Sequence, residues 1–149
     1  MEAVIFIGIQ ASGKSTFFKE RFFDSHVRIN LDLLRTRHRE KLLLEMCLTG
    51  KQPFVVDNTN PTKAERSLYI GPALAHGFRV TGYYFASQVE ACKQRNQVRM
   101  GDKAVPLAGL LGTYKRLELP TLAEGFAALQ YVTIDADGRF QASEWKDEV

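Results

Sequence analysis

The stretch VIFIGIQASGKSTFF, residues 4–18, decides the fold of this chain. It belongs to a nearly continuous apolar run over residues 3–9, which predicts a strand buried on both faces, as in a parallel sheet. A glycine-containing turn follows, and residues 14–23 then show helical character, with phenylalanines on an apolar face. A buried strand that leads through a glycine turn into a helix predicts an α/β domain.

The turn from Gly8 to Ser15 matches the pattern G-x-x-x-x-G-K-[ST]. In loops of this pattern, backbone N–H groups converge on phosphate oxygens, and the N-terminus of the next helix adds its positive dipole end. We expect Lys14 to contact the β- and γ-phosphates and the Ser15 hydroxyl to bind Mg²⁺. The loop residues predicted to hold the nucleotide are Gly8, Ala11, Ser12, Gly13, Lys14, Ser15 and Thr16. The loop therefore predicts a nucleoside-triphosphate binder, a property that hydrolases, switches and kinases share.

The rest of the chain alternates apolar strand patterns with helical patterns. Further strands are predicted over residues 26–30, 53–56, 79–86 and 129–135. Helices are predicted over residues 31–49, from Asn60-Pro61 to a kink or break at Gly71-Pro72, from a capping box of Ser87 and Glu90 to Met100, and from Pro106. This alternation predicts a parallel sheet with right-handed crossovers. Residues 138–149 predict a surface hairpin or tail.

The composition is that of a single globular domain over residues 1–149. No apolar run is long enough to span a membrane, and the first apolar segment lacks the basic region of a signal peptide. Cys47 and Cys92 have neither metal-ligand nor redox spacing, and the histidines are scattered. We therefore expect a cytoplasmic protein without a structural metal. Its net charge of +3 is compatible with a polyanionic partner.

A candidate acceptor site follows the second predicted strand, in the sequence RINLDLLR. Asp32 lies near the carboxyl edge of that strand, where ligands of open α/β sheets bind. A carboxylate there can take the proton of an attacking hydroxyl, and Arg35, on the same helix face, can hold an acceptor phosphate. The alternative is that Asp32 or Asn30 caps the helix and that Asp32 pairs with Arg35 at the surface. A solvated helix is favoured over a nucleic-acid track for the basic residues Arg35, Arg37, Arg39 and Lys41.

Two further segments predict charged groups near the triphosphate. Asp57 ends the third predicted strand, the usual position of a Mg²⁺-associated carboxylate, although residues 57–60 can equally be turn and capping residues. Arg95 and Arg99 are four residues apart on one predicted helix face, just before a glycine. They predict a lid over about residues 92–106, whose arginines stabilise charge on the transferring phosphoryl group.

Taken in order, these segments resemble the kinase domain of phage-type polynucleotide 5′-hydroxyl kinases. The resemblance runs over residues 3–135 and is carried by GIQASGKST, NLDLLR, VVDNTNP…ER…YI and RNQVRMGDKAVP. It implies that Lys14 and Ser15 bind the ATP phosphates and Mg²⁺. It also implies that Arg99 binds the β- and γ-phosphates from the lid, with Arg95 as its companion.

On the acceptor side, the resemblance implies that Asp32 is the general base and that Arg35 holds the phosphate next to the acceptor hydroxyl. The family's acceptor is a 5′-hydroxyl end of DNA or RNA, and its fold is a parallel sheet with helices on both faces. The chain departs from the family at Leu33-Leu34, where the phage-type enzymes have more polar residues.

The resulting fold prediction is an α/β P-loop kinase-type three-layer sandwich, with about five parallel strands in the order 2-3-1-4-5 and a helical lid. The predicted function is ATP- and Mg²⁺-dependent transfer of the γ-phosphoryl group to a hydroxyl, above all the 5′-OH end of DNA or RNA. Two alternatives stay open. One is a kinase of a small metabolite such as a nucleoside, sugar or antibiotic, and the other is an ATP-binding switch without phosphotransfer.

Overall fold

The computed structural model describes residues 1–98 and 105–146. Within them, one sheet is formed by β1 (Glu2–Ile7), β2 (Val27–Ile29), β3 (Phe54–Val56), β4 (Arg79–Phe85), β5 (Ala128–Ile134) and β6 (Phe140–Glu144). The order across the sheet is β2-β3-β1-β4-β5-β6. Strands β1 to β5 pair in parallel, which confirms the predicted parallel sheet and its order 2-3-1-4-5.

The segment predicted as a surface hairpin or tail contributes the sixth strand. β6 pairs antiparallel with β5, with Phe140 opposite Ile134. A tight turn closes this hairpin, since Gly138 has a φ of +77° and its N–H donates to the Asp135 carbonyl at 3.0 Å. The sheet is therefore one strand wider than predicted.

The described helices are α1 (Lys14–Arg21), α2 (Leu31–Leu34), α3 (Arg37–Thr49), α4 (Lys63–Ala75), α5 (Val89–Gln97) and α6 (Leu107–Arg116), with a 3-10 turn over Leu122–Glu124. The single helix predicted over residues 31–49 is divided into α2 and α3. Arg35 ends α2 with a φ of +75°, and Thr36 caps α3 by accepting the Arg39 N–H at 3.2 Å. Asp32 and Arg35 therefore do not share a helix face as predicted.

The break predicted at Gly71-Pro72 and the cap predicted at Ser87 are wrong, whereas a kink at Pro72 stays a prediction. Helix α4 continues through Pro72, because Tyr69, Ile70 and Ala73 are buried on both sides of it and this packing outweighs one lost backbone hydrogen bond. Ser87 does not cap α5. Its hydroxyl instead accepts the Ile9 N–H at 3.2 Å, next to the glycine-rich turn. The predicted end of α5 at Met100 lies outside the described residues.

Helices cover both faces of the sheet, so the three-layer architecture is confirmed. Helices α3 and α4 pack on one face through Leu44, Leu48, Tyr69, Ile70 and Ala73. Helix α1 covers the other face with Phe17, Phe18 and Phe22, where Phe140 of β6 joins them. A smaller apolar cluster connects α5 and α6 to the loop after β1. No helix in the described part of the chain is long and apolar enough to cross a membrane.

Candidate functional site

The glycine-rich loop lies between β1 and α1, at the carboxyl edge of the sheet. Because β1 is flanked by β3 and β4, chain connections leave it in opposite directions, and such a switch point is where open α/β sheets bind ligands. The Lys14 ammonium lies inside the curve of the loop, donating to the carbonyls of Gly8 at 2.9 Å and Ile9 at 2.8 Å. The fold therefore holds a preformed cationic loop at its ligand-binding edge.

Both glycines of the motif are required by close contacts. A Cβ on Gly8 would lie 2.8 Å from Ser12 Oγ and 3.0 Å from Phe85 Cβ. Gly13 has a φ of +100°, and a Cβ there would lie 2.9 Å from the ring of Phe140. The β5–β6 hairpin therefore packs directly against the phosphate loop, which a reading of the loop alone does not reveal.

Three side chains meet where α1 begins. The Ser15 hydroxyl donates to Asp57 Oδ2 at 3.0 Å, which brings together the two residues predicted to bind Mg²⁺. Arg28, in the middle of β2, donates from Nε to the same carboxylate oxygen at 2.8 Å and from Nη2 to the Ser15 hydroxyl at 2.9 Å. Sequence reasoning did not single out Arg28, although a charged residue inside a short strand was a usable signal.

The Ser15–Asp57 pair fits a magnesium ion in chemistry and spacing. Hydroxyl and carboxylate oxygens are the donors Mg²⁺ prefers, and adjacent ligands of its octahedron lie about 2.9 Å apart. The two oxygens here are 3.0 Å apart. The described residues contain no cluster of three or more acidic, histidine or cysteine side chains. This pair is thus suited to an ion whose remaining ligands are phosphates and water.

Asp32 lies in the short helix α2, which follows β2 at the carboxyl edge of the sheet. Asn30 caps α2, accepting the Leu33 N–H at 3.0 Å, and its amide donates to the Asp57 carbonyl. Asp32 is exposed, and its carboxylate makes no hydrogen bond or ion pair with the described residues. Of the two capping candidates, Asn30 therefore serves, and Asp32 is neither a cap nor paired with Arg35.

Arg35 is exposed at the end of α2 in a backbone conformation that favours glycine, with a φ of +75°. Its N–H donates to the Leu31 carbonyl at 2.7 Å. Such conformations cost a residue with a side chain about 1–3 kcal/mol and cluster at functional sites. The backbone at the end of α2 is therefore strained at Arg35.

A buried polar network holds the start of α2. Asn58 accepts the Leu31 N–H at 2.9 Å and donates to Glu40 at 3.0 Å. Glu40 also accepts the Tyr69 hydroxyl at 2.9 Å and Arg37 at 2.9 Å. Burial, reinforced by the Glu40 carboxylate, raises the pKa of Tyr69 to about 12. No spacing signal pointed to this network, because its members come from three separate segments.

A buried arginine fixes the backbone after β3. Arg66 is fully buried and donates to the carbonyls of Asn60 at 2.9 Å and Pro61 at 3.2 Å. Its charge is balanced by Glu124, with Nε and Oε1 2.8 Å apart. The Thr59 carbonyl in the same segment accepts the Gly8 N–H at 3.0 Å. Arg66 therefore stabilises the phosphate loop indirectly, through the segment that contains Thr59.

The side chain of Arg95 contacts the backbone of the phosphate loop. Its Nε donates to the Ala11 carbonyl at 2.6 Å, beside a cleft of about 90 Å³ lined by residues of α5, β5 and the loop. Asn96 bonds both the N–H and the carbonyl of Val105, at 2.8 and 2.6 Å, and so joins the two ends of segment 99–104. Arg99, the predicted lid arginine, lies outside the described residues.

The chain matches a known family and has curated relatives. A family model described as an AAA domain, AAA_33, matches residues 4–120. The chain is 27% identical, over 88% of its length, to a bifunctional polynucleotide phosphatase/kinase of Schizosaccharomyces pombe. It is 28% identical, over 97% of its length, to a putative bifunctional polynucleotide phosphatase/kinase of Acanthamoeba polyphaga mimivirus. It covers 33% and 36% of these two proteins, about a third of the length of each.

Among solved structures, the chain is similar to Kti12 of Chaetomium thermophilum in complex with ADP-AlF3. The TM-score is 0.64 at 16% identity, covering 91% of this chain and 92% of the other, so the likeness is one of fold. The resemblance to polynucleotide kinases seen in the sequence motifs is confirmed by the curated relatives.

Proposed function

The chain belongs to the AAA-domain family AAA_33, and on that premise we propose that it is an ATP- and Mg²⁺-dependent kinase of 5′-hydroxyl ends of DNA or RNA. The two curated relatives support this acceptor, since both are described as bifunctional polynucleotide phosphatase/kinases and the chain aligns with about a third of each. The phosphate loop supports ATP as the donor.

The carboxylate of Asp32, which has no hydrogen-bond or ion-pair partner among the described residues, is the observation that carries the proposal. It is exposed at the carboxyl edge of β2, two residues after Asn30, which binds the backbone of Asp57. A nucleotide-binding switch needs no such group, whereas a kinase requires a base beside the γ-phosphate. The environment of Asp32 leaves its carboxylate available to an incoming hydroxyl.

In the proposed reaction, Asp32 accepts the proton of the acceptor hydroxyl while the hydroxyl oxygen attacks the γ-phosphorus. The bond from that phosphorus to the β–γ bridging oxygen breaks, and ADP leaves. Lys14 would contact the phosphates from the loop, and Arg99 is proposed to contact them from the lid. Ser15 and Asp57 would hold Mg²⁺ together with the nucleotide, and the ion would supply neutralisation of phosphoryl charge.

Arg35 is proposed to bind the first phosphate of the acceptor strand. A guanidinium matches phosphate oxygens in two parallel hydrogen bonds, and Arg35 is exposed at the end of α2, where a phosphate can reach it. Arg95, bonded to the Ala11 carbonyl, is proposed to hold the loop in its phosphate-binding shape and to contact the nucleotide from the lid side.

The acceptor is tested by incubating the chain with γ-labelled ATP and Mg²⁺ across 5′-OH DNA, 5′-OH RNA, nucleosides and sugars. We expect label on an oligonucleotide, with oligonucleotide binding that weakens steeply as salt increases. Label on nucleosides or sugars alone would replace the proposal with a metabolite kinase. ATP binding with slow hydrolysis and no labelled acceptor would favour a switch.

The general base is tested by Asp32→Asn. We expect phosphotransfer to fall about 10²–10⁴-fold, the usual contribution of a positioned base, while nucleotide affinity changes by less than about twofold. Asp24→Asn, at an exposed carboxylate in the turn before β2, is the matched control and should leave both quantities unchanged. An Asp32→Asn enzyme that retained a third of the wild-type rate would rule out the assigned base.

A further inference from the structure

Arg28 introduces a permanent positive charge into the Ser15–Asp57 pair. Its Nε lies 2.8 Å from Asp57 Oδ2 and its Nη2 lies 2.9 Å from Ser15 Oγ. The Asp57 side chain is only 1% exposed, and Arg28 is its ion-pair partner among the described residues. The guanidinium therefore provides the counter-charge of a buried carboxylate.

The guanidinium and a divalent cation would approach the same two oxygens. The Ser15 hydroxyl accepts Arg28 Nη2 and keeps one further lone pair, while Asp57 Oδ2 already accepts both Ser15 and Arg28. Because an arginine stays charged at any physiological pH, it cannot yield by losing a proton. A cation bound to these oxygens would therefore lie close to a positive charge unless the guanidinium moves away.

Two features keep Arg28 in this position. It occupies the centre of β2, paired in register with Val55 of β3, so its backbone cannot shift without breaking the sheet. Its guanidinium carbon also lies 6.0 Å from the centroid of the Phe18 ring, on the α1 side of the sheet. The side chain is 28% exposed, which leaves it room to move away from Ser15 while Nε stays on Asp57.

We propose that Arg28 is a positioning residue that excludes free divalent cations from the Ser15–Asp57 pair and yields Ser15 only to a cation–nucleotide complex. The inference rests on the proposed nucleotide and cation site. A free Mg²⁺ ion adds two positive charges beside the guanidinium, and that repulsion opposes binding. A magnesium–nucleotide complex is negatively charged overall, so the same guanidinium attracts it. Arg28 thereby selects the loaded nucleotide over the bare ion.

Mn²⁺ titration followed by electron paramagnetic resonance, with and without ADP, tests this selection. Without nucleotide, Arg28→Gln should bind Mn²⁺ at least about tenfold more tightly than wild type, because a neighbouring positive charge is gone. With ADP present, that gain should disappear, and Arg28→Gln should bind Mn²⁺ no more tightly than wild type. Arg79→Gln, which removes an equal charge at the opposite edge of the sheet, should match wild type in both titrations. Adding Asp57→Asn to Arg28→Gln should abolish the gain.

In the titration without nucleotide, an Arg28→Gln protein that binds Mn²⁺ no more tightly than wild type would overturn the inference. A wild-type protein that fails to bind Mn²⁺ with ADP would instead refute the proposed nucleotide site, so the two failures are distinguishable. If thermal melting shows Arg28→Gln unfolded, Arg28→Met, which removes the same charge, is measured instead. Without nucleotide, Mn²⁺ should bind it at least about tenfold more tightly than wild type, and wild-type affinity there would overturn the inference.

Discussion

At the scale of single residues, backbone conformation and charge placement distinguish this site from an ordinary helix start. Arg35 has the glycine-favouring φ of +75°, and Asp32 has no partner within the described part of the chain. Each arrangement costs free energy or leaves a charge unused, so packing alone does not account for either. Both are compatible with the proposed acceptor site, in which Arg35 binds a phosphate and Asp32 accepts the proton of a hydroxyl.

The strain at Arg35 can be measured by comparing two truncations. Arg35→Gly should have a free energy of unfolding about 1 kcal/mol higher than Arg35→Ala, because only glycine adopts this φ without a steric penalty. Both variants lose the guanidinium, so the KM for a 5′-OH acceptor should rise equally in both. Urea denaturation gives the stabilities, and equal values would show that the backbone is not strained.

At the scale of elements, the short helix α2 depends on a network from α3 and α4. Four residues are too few for a stable helix, so α2 needs external support. Asn30 caps it, and Asn58 accepts its first N–H. The Asn58 amide in turn donates to Glu40 and to the Tyr69 hydroxyl. The position of Asp32 is therefore set by side chains outside α2.

Tyr69→Phe removes one hydroxyl from this network without changing its packing. We expect a loss of about 1–3 kcal/mol in unfolding free energy, since Glu40 stays buried with one donor fewer. The kcat for phosphotransfer should fall while nucleotide affinity is retained, because α2 loosens and the phosphate loop does not. Tyr114→Phe, at an exposed tyrosine of α6, is the control. Loss of nucleotide affinity in Tyr69→Phe would contradict this reading.

The same variant has a signature at alkaline pH. Burial raises the pKa of Tyr69 from 10.0 to about 12, so the folded protein holds a proton that the unfolded chain releases first. The stability contributed by the protonated hydroxyl is fully present below pH 10 and is lost as the pH rises towards 12. Unfolding free energy should therefore fall less steeply over this range in Tyr69→Phe than in wild type, and parallel curves would contradict the assignment.

At the scale of the whole molecule, a buried ion pair connects the last part of the chain to the phosphate loop. Arg66 and Glu124 are 58 residues apart in sequence. Their side chains join α4, the backbone of residues 60–61 and the turn before β5. Glu124, in the turn before β5, and Phe140, in β6 next to Gly13, therefore both stabilise the region around the phosphate loop that follows β1.

Glu124→Gln should cost about 3–5 kcal/mol in unfolding free energy, because it leaves the Arg66 guanidinium buried without a counter-charge. The double variant Arg66→Met/Glu124→Gln should regain part of that stability, since no buried charge remains. It should not regain nucleotide affinity, because the carbonyls of Asn60 and Pro61 have lost their donor. Denaturation and ADP binding measured side by side separate the two effects. Full recovery of both would show that the pair acts on stability alone.

The sequence by itself determined the loop, the parallel sheet and the candidate base. These depend on neighbouring residues, since a glycine turn, an apolar strand and a position after a strand are properties of a few consecutive positions. The five-strand order also agreed, because the alternation of strands and helices leaves few parallel arrangements. Local rules failed at Pro72 and Ser87, where tertiary contacts outweighed local preference.

Only the tertiary structure decided what surrounds the base and the cation pair. Ser15 meets Asp57 across 42 residues, Tyr69 meets Glu40 across 29, and Arg28 reaches both Ser15 and Asp57 from β2. A single sequence does not show which distant polar side chains become partners, because burial and strand register create those pairings only once the chain has folded. The loop was therefore predictable, whereas the arginine beside its serine was not.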